Sequence, residues 1–178
     1  MGERLGQLFR IRPGETGTVV ALGFILLTNA LAMQISYVVS ISGFLSEQGA
    51  NQIPLVWIVD MLLILLLTGI SSLIVDRFNR VRLMGAMSIA LAVIFIVLRL
   101  MFIAGLPGWL NYSLLYLIAE QQWQFFPLVF WVLANDIFDM SQAQRLFPLI
   151  AASNLFGQTL GLGIAAAAPG LMSSLNIS

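Results

Sequence analysis

Five apolar runs, each of about twenty residues or more, follow one another with only short polar connections. That pattern leaves little room for a soluble fold. The runs cover about 17–43, 55–75, 82–104, 112–134 and 147–169. A helix needs about 20 apolar residues to cross the hydrocarbon core of a bilayer. The same runs are too long, and alternate too little, for barrel strands. Composition agrees: 60% of the 178 residues are hydrophobic and 9% are charged, against about 25% charged in soluble domains. The expectation is an all-α membrane protein, with residues 1–178 forming one transmembrane domain of five helices and the lipid bilayer as its first partner.

Several function classes drop out at once. The chain has no Cys and no His, so no zinc, haem or other cofactor is expected. No nucleophile–base pair stands out, and an enzyme is not expected. Charge is balanced and no long basic stretch occurs, so no nucleic acid partner is expected. The first apolar run is too long for the 7–15-residue core of a cleaved signal and reads as a spanning helix.

All eight basic residues are Arg. Arg4, Arg10 and Arg12 precede the first run; Arg77, Arg80 and Arg82 lie between or at the edges of the second and third; Arg145 lies between the fourth and fifth. Stretches 45–54, 105–111 and 170–178 carry none. The positive-inside rule then puts the N-terminus in the cytoplasm and residue 178 on the far side.

Polar residues inside the runs are the functional clue. A charge at the bilayer centre costs about 2.5–3.5 kcal/mol on insertion scales, so one that persists faces protein or water. Asp60, Arg99 and Glu120 fall in the outer halves of their runs, with Gln34 at a similar depth and Asn29 nearer the middle. The expectation is a buried cluster in which Arg99 pairs with one or both carboxylates. Interfacial snorkelling of Asp60 and Arg99 is the competing reading. Glu120, Trp123, Gln124, Pro127 and Trp131 share one helical stripe, expected to face the bundle centre. Pro127 lacks an N–H, so a kink is expected there. In the fifth run Gly157, Gly161 and Ala165 form a close-packing face to which Gly163 adds. Asn154 and Gln158, one turn apart, can bond either a solute or a neighbouring helix. Trp57, Trp109 and Tyr112 sit where interfacial anchors are common.

Two resemblances follow from motifs. The stretch "SSLIVDRFNRVR" resembles the loop between spans two and three of the major facilitator superfamily, through Asp76, Arg77 and Arg80. Ser72 and Asn79 stand where that signature has glycines. The resemblance implies that Asp76, Arg77 and Arg80 form a gating loop that holds one of the alternating-access states. More of the chain is similar to bacterial relatives of the ATP/ADP translocase family. The matching stretches are "FRIRPGE", "FLSEQGANQIP", "IAEQQW" and "FWVLANDIFDMSQAQRLFPLIAASNLFG". Ala119, Glu120, Phe130, Trp131, Ala134, Asn135, Ala143, Arg145 and Pro148 carry that pattern.

This resemblance implies a facilitator-type helical bundle in a bacterial inner membrane, of about twelve spans, with this chain as its N-terminal part and a C-terminal half to complete it. It implies a secondary transporter for a small organic solute or anion, nucleotide exchange of the ATP:ADP antiporter type included. Glu120, Arg99, Asp60, Asn29, Gln34, Gln124, Asn154 and Gln158 would line the substrate path. The nucleotide exchangers carry charges at the outer end of span one, where this chain has "YVVSISG", and a Lys near the start of span two, where this chain has none. Arg99 is therefore the one cation within the runs available to a phosphate. A transport-inactive anchor or regulatory module joined to a soluble domain is the alternative.

Overall fold

The computed structural model describes residues 11–12, 14–74 and 79–175, and every one of its long elements is helical. Helix α1 spans Thr16–Gln48, α2 Ile53–Ile74, α3 Arg80–Ile103, α4 Gly108–Ile137 and α5 Met140–Leu175, with a short 3-10 turn at Ala50–Gln52 before α2. The gating-loop residues Asp76 and Arg77 lie outside the described residues.

The helices outrun the apolar stretches, because their ends are set by local chemistry rather than by hydropathy. Residues 135–146, expected as a connection, are almost wholly helical: only Phe138 and Asp139 separate α4 from α5. Asp139 makes so short a break possible. Its carboxylate accepts from the Gln142 backbone N–H at 2.8 Å, while Gln142 Oε1 accepts from the Asp139 N–H at 3.1 Å. This reciprocal capping box satisfies donors that a helix start leaves open. Asn79 does similar work for α3, its Oδ1 accepting from the N–H groups of Val81 at 3.0 Å and Arg82 at 3.3 Å. Between α1 and the 3-10 turn, Gly49 takes φ 75°, a backbone conformation that other residues adopt at a cost.

Four helices, α1, α2, α3 and α5, are long and apolar enough to cross a membrane. The fourth sequence run lies in α4, which is 30 residues long, about 45 Å at 1.5 Å per residue. It is not among the four, and its Glu120, Gln121, Gln122 and Gln124 set it apart from the other apolar runs. Helices α2 and α3 present bare apolar surface: Leu65 is 71% exposed, and Ile89 and Ile103 are each 68% exposed. Water tolerates contiguous surface of that kind poorly; lipid covers it at no cost. The chain is thus an all-α integral membrane protein by the length and character of these helices.

The described residues divide into two units. The first joins residues up to Ile35 with those from Ala134 onward. Val19, Leu22, Leu26, Ala30 and Met33 are buried along α1, and Leu146 and Ile150 along α5. Gly157 and Gly161 let the two helices approach: a Cβ at Gly157 would overlap the Leu27 carbonyl oxygen, and one at Gly161 would sit 2.9 Å from that of Leu31. The sequence expected this face. It also expected Gly163 to contribute, and that is corrected: a Cβ there meets nothing within 4 Å. Two residues beyond Gly161 means about 200° around the helix, so Gly163 points away from the contact.

The second unit runs from Ser36 to Leu133. Its α4 buries Leu115, Tyr116, Ala119, Phe126, Val129 and Phe130, and Phe44 and Val56 pack against Tyr116. The Tyr112 ring lies directly on Gly43, so Tyr112 is a packing residue between α4 and α1 as well as an aromatic near a helix end.

Candidate functional site

The second unit brings two carboxylates together. Asp60, on α2, is only 8% exposed, and its Oδ1 accepts from Gln121 Nε2 of α4 at 2.8 Å. Glu120 is half-buried beside Gln121 in α4, near enough to Asp60 to feel its charge. One turn earlier, the buried Tyr116 phenol lies near Glu120. Helical spacing of four residues places it there. The Tyr37 ring of α1 sits 6.0 Å from that of Tyr116. The Gln121 Oε1 is buried and has no hydrogen-bond partner among the described residues. Acceptors therefore outnumber donors in this cluster.

An apolar cleft of about 290 Å³, its mouth included, adjoins the same tyrosine. Ile41, Phe44, Ile53, Val56, Trp57 and Tyr116 line it. Tyr116 is the one residue that belongs to both the cleft and the carboxylate cluster.

Several expectations need correction at this point. Arg99 does not join the carboxylates: it is exposed on α3 and forms no ion pair among the described residues. Its position along α3 suited the pairing, but its rotation about the helix axis does not. The stripe of Glu120, Trp123, Gln124, Pro127 and Trp131 is not the buried face of α4. Gln124 is exposed and Trp123 is 49% exposed, while Ala119, Gln122 and Phe126 are buried. Pro127 lies within α4 and does not end it, which is compatible with the expected kink.

The remaining candidates, Arg80 apart, belong to the first unit. Asn29 is buried on α1 and takes part in an interaction of its own. The Gln34 side chain packs against Gly161. Gln158 Nε2 donates to Asn154 Oδ1 at 3.3 Å along α5, so these two amides bond each other. Arg80 opens α3 and is half-buried with an interaction of its own.

Two sets of residues escaped the sequence reading. Gln121 stood in plain view beside Glu120, and only α2's approach distinguishes it from Gln124. The second set is ionic. Glu15 Oε1 accepts from Arg145 NH2 at 2.8 Å and Glu15 Oε2 from Arg145 NH1 at 3.0 Å, a two-pronged pair. The same carboxylate accepts from the Arg12 backbone N–H at 2.9 Å and from Gln142 Nε2 at 3.1 Å. The sequence analysis had put Arg145 on the cytoplasmic side without a partner, and 130 residues separate it from Glu15.

The Arg145 bonds first, and then the Arg12 and Gln142 donors, hold the Glu15 carboxyl down at about 2, from an ordinary 4.5. Asp139 is lowered as well, by the Gln142 backbone N–H and then the Ser141 hydroxyl. A carboxyl lowered by folding contributes stability that is fully present above its ordinary value and is lost as pH falls through the folded one. Thermal unfolding of the detergent-solubilised chain should therefore show a melting temperature that declines between about pH 4.5 and about pH 2. Glu15→Gln should flatten most of that decline and leave the smaller part due to Asp139. A wild-type decline retained in Glu15→Gln would contradict the assignment.

Compared with models of protein families, with curated proteins and with solved structures, the chain matches none of them.

Proposed function

We propose that the chain is part of a facilitator-like secondary transporter, with its N-terminus in the cytoplasm and with Asp60, Glu120, Gln121 and Tyr116 as the polar heart of its solute path. One observation carries the reading: carboxylates from two different helices lie near one another, Asp60 bonded to the residue next to Glu120, in a unit built from largely apolar helices. Ionisable groups are expensive in a membrane and persist there mainly along ion and solute pathways. The family resemblance supports the same residue, Glu120, independently of its surroundings. Rocking of helices around the site, with the Asp76, Arg77 and Arg80 loop as a latch, would alternate access. Nucleotide exchange fits less well than it did on sequence alone, because Arg99 stands away from the cluster and a phosphate needs cations.

Uptake of radiolabelled solutes into proteoliposomes tests the proposal, with ATP, ADP, organic anions and organic cations as competitors. Asp60→Asn and Glu120→Gln should each reduce uptake about ten-fold or more, the loss of roughly one charged hydrogen bond. Wild-type uptake by both variants would overturn the assignment. A transport-inactive module is the second reading, favoured by the uncharged stretch 37–43 at the outer part of α1. On that reading no solute crosses in any variant.

A further inference from the structure

We propose that the cluster and the cleft of the second unit together take an amphiphilic amine, with its ammonium at Asp60 and Glu120 and its apolar body against Ile41, Phe44, Ile53, Val56 and Trp57. The inference rests on the reading of the cluster as a solute site and adds the class of solute.

Charge sets the sign. Asp60 and Glu120 lie near one another with no cationic side chain paired to either among the described residues. Two like charges in a poorly solvated place repel, and a cation between them relieves the repulsion. Hydrogen bonding points the same way. The donors at the cluster are the Gln121 amide and the Tyr116 phenol. The acceptors are both carboxylates and the buried Gln121 Oε1, which has no partner among the described residues. A ligand that brings donors and no acceptor, as an ammonium does, balances that surplus. An anion or a neutral alcohol does not.

Two features separate an organic amine from a bare metal ion. Among the described residues no three acidic side chains come together to hold a metal. The tilted rings of Tyr37 and Tyr116, 6.0 Å apart, offer aromatic faces of the kind that attract ammonium groups. The cleft supplies the rest. It shares Tyr116 with the cluster, and its almost wholly apolar lining suits an aryl-alkyl group.

Equilibrium dialysis of radiolabelled 2-phenylethylammonium against the purified chain in lipid nanodiscs at neutral pH tests this. Saturable binding is expected. Asp60→Asn, Glu120→Gln and Trp57→Ala should each weaken it, the carboxylate changes by about ten-fold. Neither 2-phenylethanol nor 3-phenylpropionate should compete. Competition on the wild-type chain needs no variant to fold, so it stands as a separate test. Equal competition by 2-phenylethanol would show an apolar crevice suited to a lipid tail and overturn the inference. Absence of saturable binding would do the same, as would unchanged affinity in both carboxylate variants with helical content intact. If the amine fails to bind while anions still enter proteoliposomes, the transport reading stands and the amine falls. If the amine binds while no solute crosses, the reverse holds.

Discussion

Gly157→Leu should weaken the packing of α1 against α5 more than any other single change in the first unit. A Cβ at this position overlaps the Leu27 carbonyl oxygen and lies 2.9 Å from the Ala30 Cβ. The obstacle is backbone, so no rotamer change relieves it and the helices must separate. Overfilling a packed interface typically costs about 1–3 kcal/mol, occasionally more. In a membrane this contact has no hydrophobic reserve, because lipid is as apolar as a helix surface and close packing supplies the association energy. Thermal unfolding or steric trapping in nanodiscs should show the loss. Gly163→Ala is the control: it meets open space and removes a helix-weakening glycine, so it should be neutral or stabilising by up to ~1 kcal/mol. Equal effects at 157 and 163 would show that the close contact of Gly157 with α1 does not set stability here.

Phe130→Ala should be the most damaging truncation in the second unit. Phe130 has no exposed surface, and its ring stands edge-on to that of Trp131 with centroids 5.2 Å apart. In a soluble core the change costs about 3–5 kcal/mol, combining transfer from water with the void left behind. Where lipid replaces water as the alternative environment, the transfer part shrinks and the packing part remains. The expected loss is therefore smaller, about 1–3 kcal/mol. Trp123→Ala, at a 49% exposed position on the same helix, should cost much less. A Phe130→Ala chain as stable as wild type would mean that α4 repacks freely. The buried face described for it would then not be a fixed one.

The helices themselves were legible because their signals are local. The apolar runs and the Gly157–Gly161 spacing were read within a few turns of chain, whereas the Asp139–Gln142 box and the Asn79 cap, equally local, were not. Even so, hydropathy ended the helices too early. Residues 135–137 and 140–146 are helical although polar, because capping bonds, not burial, set those ends. The polar residues of α4 were visible too, but not which of them turn inward. Glu120 and Gln124 looked like one stripe. Burial instead follows Ala119, Gln122 and Phe126, with Gln121 reaching Asp60.

From the sequence alone came the class of the protein, its five long helices, the small-residue face of α5 and the carboxylates within the apolar runs. Tertiary structure alone decided that Asp60 meets Gln121 and not Arg99, and that Glu15 clasps Arg145 across 130 residues. The reason is rotational. Each residue turns a helix by about 100°, so partner choice depends on how helices are rotated against one another. Helices that are apolar all round carry no amphipathic pattern to announce that rotation.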